Sequence, residues 1–466
     1  MQVSFTPSTV PLLLLAAYLL YRAKGKLLPV AMFMSVFQAA SIVNIAAGSL
    51  QIGVQPTYVI LLAALAARLA GRRPPKSRNW LPASTTSLLL TAFVAYAMVS
   101  AFVYPFLFKG VLISNSKFGF GIPLKWEVGH LNQLFYLVLS FALYLVAAYW
   151  TTPAELTKSI NWFVGGILLA SVIGFYQLLS IKTGLPFPKE ILHSSPTYSM
   201  FEGYEIDGFP RMNSTFTEAA AAAFSLNVGF AIVLWRLLSR ADSIRNLFYI
   251  AVIGMGLLLT VSTTGYICLV FLLVVAACRY FAPWKGGSDS FHARVLLLIP
   301  VCLVGLAFIG SPAAREPLVR LLHTVLLDKT TTLSYQQRTA WNHDALTTAA
   351  DTHWLGAGWG VCRASSFIPT MIGNVGIPGS LLFVVFCAFL LRPALHLSKI
   401  KVTLHGAVIF ALTALLLDLS VSAPELANPI IWLIFAIAAK FAAGRVAVPS
   451  RVLQPQPQLQ RWEATA

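Results

Sequence analysis

Three arginine residues, Arg211, Arg338 and Arg363, stand at or near the predicted junctions between the membrane and the long loops. The guanidinium group is planar and donates paired, charge-assisted hydrogen bonds, a geometry that suits phosphate oxygens. We predict that the three side chains converge in the folded chain and bind a diphosphate, although they are far apart in the sequence. The alternative is that each arginine only anchors its own segment at the membrane surface.

Acidic and imidazole groups near these arginines are candidate proton acceptors. Glu218 precedes an alanine run, and we expect Thr217 or Ser214 to cap the following helix, with Glu218 in its first turn. Asp351 and His353 lie between the second and third arginines, and an imidazole titrates near neutral pH. We predict that Glu218, or failing that the Asp351 and His353 pair, acts as a general base. Alternatively, Glu218 is only a helix-start acid and His353 only a structural side chain.

A glycine-rich turn lies between the second and third arginines. Residues 355–360 read Leu-Gly-Ala-Gly-Trp-Gly, and glycine permits backbone conformations and close approaches that other residues block. Residues 334–346, before this turn, have helical spacing that places Arg338, Trp341 and Ala345 on one face. The turn alone is a weak indication of a site, but its position between two arginines strengthens that interpretation.

Polar residues inside predicted spans indicate either contacts between helices or the wall of a cavity. Asn132 and Gln133 open the fifth predicted span, where lipid does not require them. We predict that they line a substrate cavity together with Trp341, and helix packing is the alternative. Asp418, the sole acid deep in a predicted span, is expected to pair internally or to line a cavity.

The elements that must position these side chains are membrane helices. The mean hydropathy is +0.75, 58% of residues are hydrophobic and only 11% are charged, which excludes a soluble domain of this size. A span requires about 20 apolar residues, and a helix satisfies its own backbone in lipid. The expected fold is therefore all-α, a polytopic bundle of about 12–13 transmembrane helices with a large helical periplasmic loop. The predicted spans are residues 9–21, 28–47, 52–70, 84–107, 130–149, 160–181, 217–236, 246–261, 265–282, 294–311, 367–391, 404–422 and 428–443.

The distribution of lysine and arginine predicts the orientation of the chain. When alternate loops are assigned to alternate sides, most of the 33 basic residues fall on one side, which the positive-inside rule makes cytoplasmic. The N-terminus is then outside, and the long loops 108–129, 182–216 and 312–366 are extracytoplasmic. We attribute the net charge of +17 to this topology and to contact with anionic lipid. Nucleic-acid binding is disfavoured, because the basic residues are spread over many segments.

The sequence shows no soluble domain. Residues 1–448 are predicted to form a single integral membrane domain, and residues 449–466 a disordered cytoplasmic tail. Within the last long loop, residues 313–327 have the spacing of a helix that lies on the membrane surface. The five cysteines form neither a disulfide framework nor a metal-ligand pattern, so no metal site is expected.

Together these features resemble the O-antigen ligase and polymerase superfamily of bacterial membrane proteins. The residues that carry the resemblance are the arginine-containing segment 338–341, the turn 355–360, and residues 374–379, Asn-Val-Gly-Ile-Pro-Gly, which lie in the span after the turn. The segment 211–218 is also similar to the corresponding pre-helix motif of exopolysaccharide polymerases. These motifs cover roughly residues 200–395, and the rest of the chain is similar in hydropathy only.

The resemblance implies a metal-independent glycosyltransferase of the integral-membrane type, without a cofactor, in the bacterial inner membrane and with its active site facing the periplasm. Its donor and acceptor would be glycans linked to undecaprenyl diphosphate. An acceptor hydroxyl would attack the anomeric carbon, and arginines would stabilise the lipid diphosphate that leaves. The partners it implies are membrane lipids, a flippase and chain-length regulator proteins, and no nucleic acid.

Polymerisation of O-antigen or exopolysaccharide repeat units is the first of three functions that these patterns permit. Ligases of the family usually carry a His followed by Asn before the span that begins near Phe367, where this chain has Arg-Ala-Ser-Ser at 363–366. This departure favours a polymerase over an O-antigen ligase, which transfers the glycan to an acceptor. A polysaccharide transporter or flippase is the alternative from another class, although transporters tend to have paired repeats and interrupted helices.

Overall fold

The chain forms a helical bundle in a computed structural model, which describes residues 2–47, 50–70, 84–115, 119–197, 205–206, 209–239, 243–281, 333–392, 404–421 and 426–443. Local capping explains where a helix begins. At the start of the helix Pro153–Thr183, the Thr152 side chain accepts a hydrogen bond of 3.2 Å from the amide of Glu155, and Pro153 is the first helical residue. The helices are α1 (Thr9–Arg22), α2 (Leu27–Met34), α3 (Pro56–Ala70), α4 (Thr85–Leu107), α5 (Leu131–Tyr149), α6 (Pro153–Thr183), α7 (Lys189–Leu192), α8 (Ala219–Leu238), α9 (Ser243–Leu259), α10 (Thr263–Phe281), α11 (Leu333–Asp351), α12 (Phe367–Leu391), α13 (Leu404–Val421) and α14 (Pro429–Ala442).

Six of the described helices are long and apolar enough to cross a membrane, namely α4, α5 with the short turn before it, α6, α8, α12 and α13. Five further helices are apolar but shorter: α1, α3, α9, α10 and α14. A hydrocarbon core about 30 Å thick requires helices of this kind. The polytopic helical membrane fold predicted from the sequence is therefore confirmed.

Several predicted spans agree closely with observed helices. The prediction 367–391 coincides with α12, and the predicted division between the spans 246–261 and 265–282 is confirmed, because α9 ends at Leu259 and α10 begins at Thr263. The predicted span 294–311, the surface helix 313–327 and the tail 449–466 lie outside the described residues.

Short strands accompany the helices, so the all-α description is incomplete. One antiparallel sheet has the order β1–β2–β3, and two further pairs of strands each form a small antiparallel sheet. The strands are β1 (Gln2–Phe5), β2 (Val43–Ala47), β3 (Leu50–Val54), β4 (Leu112–Asn115), β5 (Gly119–Pro123), β6 (Glu205–Ile206) and β7 (Phe209–Pro210).

Two of the predicted spans are wrong in part. The prediction 28–47 covers only the short helix α2, after which the chain becomes irregular and then forms β2. The prediction 52–70 starts inside β3, and its helix begins only at Pro56. Hydropathy does not distinguish an apolar helix from an apolar strand, and the β-branched Val43 and Ile45 favour the extended state.

The strands and connecting segments meet at one end of the bundle, which we call the sheet end. Asn132, at the start of α5, donates from Nδ2 to the carbonyl oxygen of Gln51 in β3 at 3.1 Å. The amide of Gly53 in β3 donates to Thr197 Oγ1 at 2.6 Å. The sheet end consists of residues 2–6, 35–47, 50–55, 108–115, 119–130, 184–197, 205–206, 209–218 and 352–366.

The opposite end of the bundle carries many of the described basic side chains. Arg68 of α3 forms an ion pair with Glu155 of α6, with 2.8 Å between Nη2 and Oε1. Lys440 of α14 donates to the carbonyl oxygen of Thr151 at 2.7 Å. Other basic residues at helix ends on this side are Arg22, Lys24, Lys26, Lys158, Arg236 and Arg245. The sheet end also holds basic residues, but Glu127, Glu190 and Glu205 accompany them, so the two ends differ in net charge among the described residues.

The acid deep in a span is paired inside the bundle, as predicted. Asp418 of α13 is only 2% exposed, and Asn227 of α8 donates from Nδ2 to its carboxylate at 3.2 Å. The same Nδ2 lies 3.3 Å from the carbonyl oxygen of Gly265 in α10. This contact joins α8, α10 and α13, so Asp418 serves helix packing in this structure.

Candidate functional site

A buried, irregular segment, residues 211–217, leads into α8 at the sheet end. Gln177 of α6 accepts two backbone hydrogen bonds through Oε1, from the amides of Asn213 (3.0 Å) and Ser214 (2.8 Å). The Thr215 hydroxyl donates to a backbone carbonyl of the α2–β2 connection at 2.6 Å. Irregular backbone in a membrane protein requires such partners, because lipid offers none. The segment is therefore fixed between α6 and the α2–β2 connection.

Arg211 begins this segment and lies beside the turn between α9 and α10. Its Nε donates to the carbonyl oxygen of Thr260 at 3.3 Å, and its side chain is half-buried. Its positive charge interacts with the hydroxyl group of Tyr266 in α10. Arg211 is thus positioned by the α9–α10 turn.

Glu218 stands where the irregular segment becomes α8. It is itself the N-cap residue of α8, with extended backbone angles, and its side chain forms no capping hydrogen bond. The expectation that Thr217 or Ser214 caps this helix is therefore wrong, and the Ser214 hydroxyl donates instead to the carbonyl oxygen of Ala170 at 2.5 Å. Glu218 is half-buried at the sheet end, a position from which its carboxylate can accept a proton.

A polar cluster lies two helical turns below Glu218. Ser225 is on the same face of α8, and its hydroxyl oxygen accepts hydrogen bonds from Gln38 Nε2 (3.4 Å) and Asn428 Nδ2 (3.2 Å). Gln55 Nε2 donates to the carbonyl oxygen of Gln38 at 3.2 Å. On this face of α8, the residues between the carboxylate and the cluster are Ala221 and Ala222. This face of α8 thus carries a carboxylate above amide and hydroxyl groups.

Asn374 of α12 fixes one side of the segment that carries the third arginine. Its Oδ1 accepts hydrogen bonds from the amides of Val361 and Cys362, each at 3.0 Å. Its Nδ2 donates to the carbonyl oxygens of Cys362 (2.6 Å) and Thr370 (2.7 Å). Since Asn374 is only 3% exposed, water does not compete for these four bonds.

Asn342 of α11 fixes the other side of the same segment. Its Oδ1 accepts hydrogen bonds from the amides of Ser365 (2.9 Å) and Ser366 (3.0 Å), and its Nδ2 donates to Ser366 Oγ at 2.9 Å. Arg363 lies between the two asparagine contacts, and its side chain is exposed. The backbone around Arg363 is therefore held in place before any ligand binds, which favours precise positioning of its guanidinium group.

Arg338 lies on the face of α11 that turns toward this segment. Ala345 is fully buried and packs in a small apolar cluster with Ala364. Because Arg338, Trp341 and Ala345 share one face, that face is directed toward the segment that carries Arg363. Arg338 and Trp341 are each half-buried. Two of the three predicted arginines therefore lie on adjoining segments, whereas the convergence of Arg211 with them stays a prediction.

The other predicted bases, Asp351 and His353, lie at the C-terminal end of α11. Both side chains are exposed, and the backbone of His353 has a positive φ of 52°. Exposed groups keep their water, so a substrate hydroxyl would have to compete with solvent for them. We therefore retain Glu218 as the first candidate for the base.

The thiol and carboxyl groups beside the Arg363 segment are shifted toward their neutral forms. Burial raises the pKa of Cys362 to about 12, so its thiol stays protonated and is a poor nucleophile at neutral pH. Burial also raises the pKa of Asp344 in α11, and the nearby charge of His343 opposes this shift.

The glycine-rich turn packs tightly against three helices. Gly358 has a φ of 110°, and a Cβ atom there would lie 2.8 Å from the carbonyl oxygen of Ser100 in α4. The amide of Trp359 donates to the Ser100 hydroxyl at 3.2 Å. A Cβ atom on Gly356 would lie 2.6 Å from the backbone of Asn374 in α12, and one on Gly360 would lie 2.7 Å from the carbonyl oxygen of His130, the N-cap residue of α5. The glycines thus place the turn between α4, α5 and α12.

We expect Gly358→Ala to destabilise the protein by about 1–3 kcal/mol more than Gly110→Ala, because overpacking costs that much where neighbours cannot move. Gly110 is a matched control: its φ is 94°, yet a Cβ atom there would meet nothing within 4 Å. Both variants place a Cβ atom on a backbone of positive φ, so their difference mainly reports the steric clash. Thermal unfolding of the detergent-purified proteins measures it, and equal melting temperatures would contradict the packing described for the turn.

Asn132 and Gln133 lie where β3, α5 and the glycine-rich turn meet. Asn132 bonds to Gln51 as described above, and Gln133 Cβ would be 3.0 Å from a Cβ atom on Gly360. Both side chains are half-buried, so each has a packing role and a part that is exposed at the sheet end. Their role in lining a substrate cavity stays a prediction.

Sequence reasoning missed the amides that organise this end of the bundle, namely Gln177, Asn342 and Asn374. Each of them bonds backbone groups that are distant from it or lie in an irregular loop, and no spacing pattern predicts such a contact. Gln177 and Asn374 are amides within apolar stretches, and Asn374 also opens the motif 374–379, whereas Asn342 has no such signal. Compared with known proteins, the chain matches no family model, no curated protein and no solved structure.

Proposed function

We propose that this protein polymerises oligosaccharide repeat units linked to undecaprenyl diphosphate, at the periplasmic face of a bacterial inner membrane. The observation that carries the proposal is the paired placement of Arg363 and Arg338. Arg363 projects from a segment whose backbone Asn342 and Asn374 hold, and Arg338 lies on the helix face turned toward it. Guanidinium groups on adjoining, fixed segments suit a diphosphate, which carries charge on two phosphate groups.

The reaction is a transfer of the growing glycan from one lipid carrier to another repeat unit. A hydroxyl of the acceptor sugar attacks the anomeric carbon of the donor as Glu218 takes its proton. The bond between that carbon and the diphosphate oxygen breaks, and the electron pair leaves with the lipid diphosphate. Arg338 and Arg363, with Arg211 as the proposed third arginine, stabilise the negative charge of the leaving group.

The proposed orientation is supported by the charge difference between the two ends of the bundle. Basic side chains concentrate at the end opposite the sheet end, and the positive-inside rule assigns that end to the cytoplasm. The sheet end, with Glu218, Arg211 and Arg363, then faces the periplasm together with the adjoining α11 that carries Arg338. Lipid-linked repeat units are joined at that face in the family that the sequence resembles.

The topology predicts selective labelling of introduced cysteines in intact spheroplasts. We expect Gln336→Cys, an exposed position on α11, to react with a membrane-impermeant maleimide, because α11 would face outward. Lys24→Cys, exposed at the opposite end, should react only after the membrane is broken. Labelling of the unsubstituted chain measures the background from its own cysteines. The reverse labelling pattern would contradict the periplasmic placement of the site.

Product analysis tests the function directly. The purified protein, reconstituted with its host's lipid-linked repeat unit, should convert it into a ladder of longer lipid-linked glycans on a gel. A ligase would instead require a separate acceptor and would add the glycan to it without a ladder. A transporter would move the repeat unit between the two sides of a vesicle without lengthening it. Either of these results would replace the polymerase proposal.

A further inference from the structure

Two arginine side chains meet at the basic end of the bundle, opposite the sheet end. Arg236 lies in the last turn of α8 and Arg245 near the start of α9, and the positive charge of Arg245 opposes that of Arg236. The hydroxyl group of Tyr249 in α9 lies within electrostatic range of the same Arg236 guanidinium group. The Arg236 side chain is half-buried, whereas that of Arg245 is exposed. The fold therefore brings two like charges together where they repel each other.

The hydrogen-bond partner of Arg236 is a neutral amide. Its Nη2 donates to Asn161 Oδ1 of α6 at 2.6 Å. An amide oxygen satisfies one of the donors of a guanidinium group but leaves its charge uncompensated. Among the described residues, Arg236 forms no ion pair with a carboxylate, unlike Arg68, which pairs with Glu155 at the same end of the bundle. A half-buried arginine in this state favours an anion beside it.

The amide that binds Arg236 lies near the level of the lipid headgroups. The helix α6 has 31 residues and is about 46 Å long, so its ends extend beyond a hydrocarbon core about 30 Å thick. Lys158 and Asn161 are both exposed near its basic end and share one face, since they are three residues apart. Trp162 follows them and is also exposed, as is typical of aromatic side chains at a membrane boundary. The Arg236 guanidinium group is thus within reach of lipid phosphate groups.

The two helices beside Arg236 also present apolar side chains to the lipid. On α9 these are Ile244, Phe248 and Met255, and on α6 an example is Val172. The helices α6 and α9 pack against each other and against α8, so all three meet at Arg236. A basic region at headgroup level thus adjoins apolar helix surfaces that can contact acyl chains.

The chemistry of this site fits the phosphodiester group of an anionic phospholipid. Guanidinium groups donate paired hydrogen bonds to phosphate oxygens, and one phosphate between Arg236 and Arg245 would offset their repulsion. Lys158, on the same face of α6 as Asn161, adds a third positive charge. A zwitterionic lipid would bring a cation of its own into this basic region and is therefore disfavoured. Basic pockets between membrane helices are typical binding places for anionic headgroups.

We propose that Arg236 and Arg245 bind the phosphate of one anionic phospholipid in the leaflet at the basic end of the bundle. Asn161 orients the Arg236 guanidinium group, and Lys158 and Tyr249 lie beside it. The acyl chains lie against the apolar surfaces of α6 and α9. Such a lipid joins α6, α8 and α9 at the end opposite the candidate functional site. The inference depends on the fold and on the placement of these charges, and it is independent of the proposed reaction.

Lipid binding by the full-length protein tests the site without requiring glycan transfer. Native mass spectrometry of the detergent-purified protein counts the lipid molecules bound during titration with phosphatidylglycerol and, separately, with phosphatidylcholine of the same acyl chains. We expect one site that binds phosphatidylglycerol at least about tenfold more tightly than phosphatidylcholine. Arg236→Gln and Arg245→Gln should each weaken this binding by about tenfold, the equivalent of one lost hydrogen bond to a charged group. Arg392→Gln makes the same change at the exposed end of α12 and should bind as the unsubstituted chain does.

Each outcome of the titration decides the proposal. Equal binding of the two lipids would overturn it, as would unchanged phosphatidylglycerol binding in both Arg236→Gln and Arg245→Gln. An equal loss in Arg392→Gln would also overturn it, because the lipid would then respond only to the general charge of the basic end. Displacement of the lipid by excess inorganic phosphate would assign the arginine pair to a soluble anion instead. Since Arg245 is exposed, Arg245→Gln keeps the test decisive if Arg236→Gln fails to fold.

Discussion

Replacing Arg338 with lysine should reduce polymer formation by about 10²-fold, although the positive charge is kept. Lysine lacks the planar fork that makes two parallel hydrogen bonds to phosphate oxygens, and a hydrogen bond to a charged group contributes about 1.5–3 kcal/mol. Arg338 is half-buried on the face of α11 that turns toward Arg363. The shorter lysine side chain at this position therefore does not restore the lost hydrogen bond to the diphosphate. The rate of ladder formation by the reconstituted protein measures the effect.

Two matched substitutions distinguish a specific loss of activity from a general loss of protein stability. Gln337→Ala alters the exposed neighbour of Arg338 on the same helix, and Arg392→Lys makes the same chemical change at the exposed end of α12. Both should retain nearly full activity and an unchanged melting temperature. Arg363→Lys should behave like Arg338→Lys, because Asn342 and Asn374 position the Arg363 backbone for the same task. Full activity of Arg338→Lys would remove Arg338 from the proposed diphosphate site.

Replacing Glu218 with glutamine should lower the rate of transfer by about 10²–10⁴-fold, the usual contribution of a general base. Glutamine has nearly the same shape, and the Glu218 side chain makes no capping hydrogen bond to α8, so the fold should not depend on its charge. The loss should therefore appear in the rate with saturating repeat unit, while the melting temperature stays within error of the unsubstituted chain.

Glu190→Gln is the control for this change. Glu190 is an exposed carboxylate on α7, close in sequence to the loop segments of the sheet end, and it takes no part in the proposed site. Glu190→Gln should leave the rate of transfer unchanged in the same assay. If Glu218→Gln keeps the full length and yield of polymer, Glu218 is only the residue at the start of a helix. Asp351→Asn and His353→Gln would then be the next substitutions to measure, since these residues are the remaining predicted bases.

The helical membrane character of the chain could be predicted from the sequence, because it depends on local properties alone. A single apolar run that crosses lipid satisfies its backbone as a helix, and for α12 even the bounds 367–391 agree. The shared face of Arg338, Trp341 and Ala345 follows from helical period, and the buried Ala345 is consistent with it. The charge difference between the two ends could also be read from the loops.

Where a local pattern competes with a long-range contact, the sequence alone did not predict the observed structure. Residues 28–47 are apolar enough for a span, yet β2 forms there because β1 and β3 supply its hydrogen-bond partners. Glu218 was expected in the first turn of α8 but is its N-cap residue, because Gln177 and other distant groups hold the preceding segment in an irregular conformation. In both places a long-range contact overrides the local preference.

The sequence by itself determined that this protein is a bundle of membrane helices, which loops separate the candidate residues, and which residue types could bind a diphosphate or accept a proton. Only the tertiary structure decided that Asn342 and Asn374 hold the Arg363 segment and that the turn glycines meet the backbones of α4, α12 and the N-cap residue of α5. The physical reason is the distance along the chain over which each kind of interaction acts. Hydropathy and helical period act over a few turns of one segment, whereas a side-chain amide or a missing Cβ takes its role from whichever backbone the fold brings against it.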